Sequence, residues 1–161
     1  MTPLSAPHIS ATGRQTDIAA LFDVDNTLLP GQASEVRFFR FLWKRGLVGW
    51  REVRDSIHWV LRCAPPVSLH PLRERKLYLA GKGAAEVEAL AEEFCRTELC
   101  PRLSAQGLSR MDEHRRAGHH IVLVTGSLDF LIAPLAALLE VPTLLAARLE
   151  QQERQFTGHV C

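Results

Sequence analysis

The stretch that most constrains this chain is Leu21-Phe22-Asp23-Val24-Asp25-Asn26-Thr27-Leu28-Leu29. Ile18 to Phe22 form a short apolar run bounded by Asp17 and Asp23, which reads as a buried strand of the kind found inside a parallel sheet. The run ends on two acidic residues separated by one residue, followed by a hydroxyl. In open α/β sheets, ligands bind beyond the carboxyl ends of the strands. Two carboxylates at such an edge repel each other and lose solvation, so a cation, a shared proton or solvent has to relieve them. If the segment stays extended, Asp23 and Asp25 point to the same side. One carboxylate can then attack a phosphorus atom while the other moves a proton at the bridging oxygen, which is covalent catalysis coupled to general acid–base transfer. Phosphoryl chemistry of that kind also calls for charge neutralisation, usually by magnesium. The bland reading of the same residues is an acidic turn that only solvates a strand end.

A chain of 161 residues is long enough for one domain with a real core. With 47% hydrophobic and 23% charged residues it has the composition of a soluble globular protein. A net charge of +1 offers no strong field for a nucleic-acid partner. Cys63, Cys95, Cys100 and Cys161 show no Cys-x-x-Cys spacing. With no secretory signal in view, they read as the thiols of a cytoplasmic protein. No run reaches the length of a membrane span; the most apolar, Phe130 to Leu139, holds Pro134 and stops at Glu140. Residues 1–16 are rich in Pro, Ser and Thr and are expected to be poorly ordered.

Past the acidic stretch, Pro30-Gly31-Gln32 reads as a turn, and Ser34 can cap a helix carrying Val36, Phe39, Leu42 and Trp43 on one face. Arg45-Gly46 ends it. A second helix fits Trp50, Val53, Ile57, Val60 and Leu61 and stops at Pro65-Pro66. Further helices are expected over Ser68 to Leu79 and Ala84 to Leu99, the latter with Val87, Leu90, Ala91 and Phe94 inward. Another, with Leu108 and Met111, ends near Gly118. Residues 34–103 therefore look wholly helical and interrupt an α/β alternation, as a cap laid over the site would. His120 to Ser127 read as a second buried strand ending in hydroxyl and glycine residues. If a helix starts at Ser127, then Thr125, Gly126 and Ser127 lie at its N-terminus, where backbone amides suit a phosphate. Pro134 is expected to kink or restart that helix. Thr143 to Ala146 read as a third strand, and Leu149 with Gln155 to Val160 as a hairpin whose tip, Gln152-Glu153-Arg154, lacks glycine.

Two strand-end motifs in this order, split by a helical insertion, resemble those of the haloacid dehalogenase-like hydrolases. The phosphoserine-phosphatase-like branch looks most similar, through Leu123-Val124-Thr125-Gly126-Ser127, Ala133-Pro134-Leu135-Ala136 and the hairpin ending Phe156-Thr157-Gly158. The resemblance implies an α/β fold, a Rossmann-like parallel sheet with its helical cap inserted after the first strand: residues 17–33 and 104–161 as core and 34–103 as cap. It implies a magnesium-dependent phosphomonoester hydrolase that works through an aspartyl-phosphate on a small phosphorylated metabolite. Asp23 matches the nucleophile, whose carboxylate also touches magnesium. Asp25 matches the general acid/base, with its backbone carbonyl as a second magnesium ligand. Thr27 matches the residue that positions the loop. Thr125, with the Gly126 amide and Ser127 beside it, matches the group that binds the phosphoryl oxygens. The family's third-motif lysine and fourth-motif acids have no counterpart, because the lysines are Lys44, Lys76 and Lys82 and the only aspartate after Thr125 is Asp129. The chain thus reads as the front part of such an enzyme, with impaired turnover. The alternative is a non-catalytic remnant that binds phosphate or a partner.

Other signals have simpler readings. His119-His120 lead into a strand and face opposite ways rather than forming a metal site. The aromatic cluster Phe38, Phe39, Phe41, Trp43 and Trp50 reads as the core of the cap rather than a membrane-surface face. Glu35 and Arg37 follow the acidic loop closely enough to reach a substrate but read better as an exposed first helical turn, and Arg73-Glu74-Arg75-Lys76 as a charged helix face. Cys95 and Cys100 read as core or half-buried thiols.

Overall fold

A computed structural model of the chain describes residues 18–63 and 75–161. Strand β1 (Ala19–Asp23) pairs in parallel with β2 (His120–Leu128), which pairs in parallel with β3 (Thr143–Ala147), in the order β1-β2-β3. Between β1 and β2 lie helices α1 (Ser34–Lys44), α2 (Trp50–Cys63), α3 (Ala84–Phe94) and α4 (Ala105–Arg116). Helix α5 (Asp129–Leu138) crosses from β2 to β3, and β4 (Leu149–Gln152) with β5 (Gln155–Val160) forms an antiparallel hairpin. The parallel sheet with helical crossovers is the α/β architecture that the alternation of apolar runs implies.

The strands form where β-branched and aliphatic residues run together, but their burial differs from a strand covered on both faces. Along β1 only Ala20 and Phe22 are buried, while Leu21 stays 64% exposed. Across the sheet Leu145 is 54% exposed. The helices supply one covering layer: His114 of α4 packs edge-on against Phe22 at 5.8 Å, and Leu131, Ile132 and Leu135 of α5 join the same buried cluster. Period-two alternation then decides which residues of each strand are inside.

The helical segment shares this core through aromatic rings. Phe38 of α1 touches Phe94 of α3 at 5.2 Å and Phe130 of α5 at 6.2 Å, and Phe130 stacks on Phe156 of β5 at 5.0 Å. The face of α1 that goes inside is Phe38, Phe41 and Leu42, with Val36 left exposed, so the stripe is rotated from the expected one. Trp50 is 78% exposed and meets Trp43 edge-on at its margin, outside the core assigned to it from sequence. Val87, Ala91 and Phe94 of α3 are inside as their spacing predicts.

One expected helix is not formed over its described part, Arg75 to Leu79. The poorly ordered N-terminus read over residues 1–16, and residues 68–74 of the helix expected over Ser68 to Leu79, lie outside the described residues. The rest of that helix is replaced by a bridge at Arg75 and a 3-10 turn over Leu77–Leu79. The cause is pairing with the hairpin: Lys76 N–H donates to Gly158 O at 2.7 Å, Gly81 N–H to Phe156 O at 2.8 Å and Phe156 N–H to Lys82 O at 3.0 Å. Backbone donors taken by β5 cannot close a helix. Gly158, at φ +85°, allows the approach, since a Cβ there would sit 3.2 Å from Ala80 Cβ. The hairpin turns on Glu153 and Arg154 at φ 49° and 64°, a left-handed pair without glycine. Pro134 sits inside an unbroken α5 and neither ends nor restarts it.

Two outcomes test this packing. Phe38→Ala should lower stability by about 3–5 kcal/mol, the usual cost of emptying a buried phenyl site, measured by urea unfolding. Glu52 of α2 accepts from Lys82 Nζ at 2.8 Å and from Gly49 N–H at 2.9 Å, and these contacts, the lysine first, hold its carboxyl down to about 2 from 4.5. Because the folded value is the lower one, this contribution is full above pH 4.5 and disappears as pH falls toward 2. The unfolding midpoint of Glu52→Gln should lack that segment of the acid dependence seen in the parent chain.

Candidate active site

The acidic stretch and the second strand end meet at one edge of the sheet. In the β1–β2 register Asp23 stands opposite Val124, so Thr125 is the next residue along, and Val24 N–H donates to Val124 O at 3.3 Å. The strand stops at Asp23. Asn26 N–H donates to Leu29 O at 2.9 Å, Leu29 N–H to Val24 O at 2.8 Å, and Asn26 takes φ 66°, a conformation asparagine tolerates better than most side chains. Asp25 therefore sits in a tight turn rather than in an extended run beside Asp23. Val24, Leu28 and Leu29 anchor that turn in the core, and Thr27 is exposed on it.

The second strand end is also irregular. The four-residue step from Val124 to Leu128 in β2 is matched by a two-residue step from Leu145 to Ala147 in β3. Thr125, Gly126 and Ser127 fill this bulge, and α5 begins only at Asp129, so the expected helix start at Ser127 is moved two residues on. Within the bulge Ser127 N–H donates to Thr125 Oγ1 at 3.0 Å. Bulges re-aim side chains next to functional sites, and here the bulge turns Ser127 toward Asp25.

The carboxylate of Asp25 ties the two ends together. Its Oδ1 accepts from Ser34 N–H at 2.7 Å; its Oδ2 accepts from Ser34 Oγ at 3.2 Å and from Ser127 Oγ at 2.9 Å. The two hydroxyls are themselves 2.9 Å apart. Ser34 is the first residue of α1, so the carboxylate lies at the positive end of that helix and takes one of its open amides. It does from outside what the expected Ser34 cap would have done from within. Each hydroxyl can donate or accept, whereas the amide only donates. Oδ2, Ser34 Oγ and Ser127 Oγ thus form a closed triangle of contacts.

Above this floor opens a cavity of about 690 Å³ lined by Asp25, Gly126, Ser127, Glu35, Lys76 and Tyr78, with Val36 and Phe39 as apolar wall. Glu35 points into it rather than into solvent: Lys76 Nζ lies 2.6 Å from Glu35 Oε1, and Tyr78 OH donates to the same oxygen at 3.3 Å. The Lys76 side chain is only 11% exposed, so it belongs to this wall rather than to a solvated charged face. Desolvation, and then the charge of Glu35, push the Tyr78 phenol well above its usual value of 10, so it stays a neutral donor. Arg37, by contrast, turns back and donates to Gln32 O at 2.9 Å, bracing the loop before α1. Sequence reasoning missed Ser34 because it was read only as a helix cap, and Lys76 and Tyr78 because they lie about fifty residues from either motif with no spacing signal. His119 Nδ1 lies 2.8 Å from His114 Nδ1, away from the cavity lining. Among the described residues no group of three or more His, Cys, Asp and Glu side chains is set to hold a metal ion, and no helix is long and apolar enough to cross a membrane.

A family model described as haloacid dehalogenase-like hydrolase matches residues 20–161. The chain belongs to the haloacid dehalogenase-like hydrolases. Similar to it is a protein of Mycobacterium tuberculosis named as a probable phosphatase, 25% identical over 164 residues that cover 99% of this chain and 56% of the relative. The chain thus spans just over half of that relative's length. A solved protein of unknown function from Bordetella pertussis Tohama I superposes with a TM-score of 0.72 at 29% identity, over 89% of this chain and 66% of that one. A phosphoserine phosphatase solved as a phospho-aspartyl intermediate analogue shares the fold, with a TM-score of 0.52 at 19% identity over 89% of this chain and 62% of its own. The family read from the two strand-end motifs is the one these matches give.

Ser34→Ala and Ser127→Ala should each cost about 1.5–3 kcal/mol, the usual worth of a hydrogen bond to a charged acceptor. Because both hydroxyls share Oδ2 of Asp25, the double variant should depart from additivity by about 0.5 kcal/mol or more in a denaturant double-mutant cycle.

Proposed function

We propose that this chain carries the phosphoryl-transfer half-site of a magnesium-dependent phosphomonoester hydrolase that works through an aspartyl-phosphate. The observation that supports the reading is the meeting of Asp23, Thr125 and the Ser34–Asp25–Ser127 cluster at one sheet edge, with Asp25, Gly126 and Ser127 lining the cavity and Asp23 and Thr125 beside them in sequence. In this reading an oxygen of the Asp23 carboxylate attacks phosphorus, the bond from phosphorus to the ester oxygen breaks, and Asp25 gives its Oδ2 proton to the departing alkoxide. Asp25 then takes a proton from the water that attacks the aspartyl-phosphate, which frees phosphate and restores Asp23. The Thr125 hydroxyl and the Gly126 amide hold the phosphoryl oxygens, and Ser127 and Thr27 serve as positioning residues.

The donor set fits a small hard cation. Asp23 offers an exposed carboxylate oxygen, whereas both oxygens of Asp25 already accept from protein donors, so the main-chain carbonyl is the ligand Asp25 has to give. Magnesium accepts few protein ligands and keeps waters and phosphate oxygens in its shell. When bound it would neutralise charge on the transferring group. The helical segment 34–103 acts in this reading as the cap, and its Glu35–Lys76–Tyr78 wall meets the alcohol part of a small phosphorylated metabolite. The name of the Mycobacterium relative supports a phosphatase reading, and the state in which the phosphoserine phosphatase was solved supports an aspartyl-phosphate.

The test is phosphate release from p-nitrophenyl phosphate and a panel of phosphomonoesters, with and without magnesium. Magnesium-dependent release is expected. Asp23→Asn should abolish it, and Asp25→Asn should lower it about 10²–10⁴-fold, the usual worth of a general acid–base group. Release that survives Asp23→Asn would remove the nucleophile assignment. Magnesium-dependent phosphate binding without turnover would instead favour the non-catalytic reading.

A further inference from the structure

At the end of α3 the chain neither stops nor continues as an α-helix. Cys95–Leu99 form a π-turn, and Cys100–Arg102 follow as a 3-10 turn with Pro101 in its first positions. Five residues of α-helix rotate a side chain through about 500°, leaving it about 140° from its start. Cysteines five apart on an α-helix would therefore face different sides. A π-turn closes i→i+5 hydrogen bonds, and here Cys100 N–H donates to Cys95 O. The wider turn stacks the two residues, and their sulfurs lie 3.8 Å apart. Such insertions are rare and recur at functional sites.

We infer that Cys95 and Cys100 are a peroxide-sensitive dithiol that closes reversibly to an intramolecular disulfide. The two sulfurs differ in access. Cys95 is 4% exposed, between Phe94 and Leu99 in the core, and Cys100 is partly exposed. Burial, and then the neighbouring Cys100, push the Cys95 thiol up to about 12, which leaves Cys100 to meet an oxidant first. The Cys100 thiolate attacks one oxygen of hydrogen peroxide; the S–O bond forms, the O–O bond breaks, and hydroxide leaves. Cys95 Sγ then attacks Cys100 Sγ; the S–S bond forms, the S–O bond breaks, and the hydroxide departs as water with the Cys95 proton. Two thiols and one peroxide become one disulfide and two waters. Transient pairs of this kind are the usual form of disulfide in reducing compartments.

The position gives the bond a structural reach. Cys100 leads through Leu103 to Ser104, whose N–H donates to Leu28 O at 2.9 Å, and a Cβ on Gly107 would lie 3.0 Å from Leu28 Cδ2. Leu28 belongs to the turn that holds Asp25, so closing the sulfurs to about 2.0 Å acts on a strut of that turn.

The experiment treats a Cys63→Ser, Cys161→Ser chain with hydrogen peroxide, blocks remaining thiols under acid, and maps peptides by mass spectrometry. The expected product is a Cys95–Cys100 linked peptide, lighter by two hydrogens and returned to the dithiol by dithiothreitol. In that background Cys95→Ser should leave a Cys100 sulfenic acid that dimedone traps, and Cys100→Ser should leave Cys95 at least tenfold slower to oxidise. Oxidation of Cys100 to sulfinic acid while Cys95 stays a thiol would overturn the proposal, as would cross-linking only between chains. Every readout is independent of phosphatase activity, so loss of one reading leaves the other standing.

Discussion

One carboxylate holds three parts of this molecule together. Asp25 follows the first strand, takes an open amide at the start of α1, and accepts from hydroxyls on α1 and on the bulge of β2. Hydrogen bonds to a charged acceptor are worth about 1.5–3 kcal/mol each, and a helix N-terminus adds its own attraction. The direction of α1 follows from that anchor, and with it the placement of Glu35, Val36 and Phe39 along the cavity. A residue read as proton donor in the chemistry is thus also the joint on which the roof of the site hangs.

The roof is held from its other side by different forces. Phe38, Phe94, Phe130 and Phe156 form a continuous run of ring contacts from α1 and α3 through α5 to the hairpin. The hairpin in turn takes the backbone of residues 76–84 as a partner. That pairing keeps Lys76 and Tyr78 out of any α-helix and sets them opposite Asp25, where Glu35 gathers both. Dispersion and apolar burial therefore place the helical segment, and backbone hydrogen bonds aim its polar residues.

Much of this frame was legible in the chain. Strands β1, β2 and β3 follow from aliphatic runs between polar ends, α3 from its spacing, and the edge position of Asp23 and Thr125 from the motif at each strand end. The segment before the hairpin was misread because its helical periodicity was overridden by β5, a partner more than seventy residues away in sequence. The inward turn of Glu35 was misread because nothing near it announces Lys76 or Tyr78. Ser34 and Ser127, 93 residues apart, carry no shared pattern either.

By itself the sequence determined the fold class, the family motifs and the acidic strand end, since these rest on local periodicity and on which residue types can end a buried strand. Only the tertiary structure decided that Asp25 leaves the extended line and caps α1. It alone displaced Ser127 into a bulge and put the Glu35–Lys76–Tyr78 cluster on the cavity wall. Those outcomes are competitions between distant donors and acceptors for one another, and a linear pattern does not record who wins them.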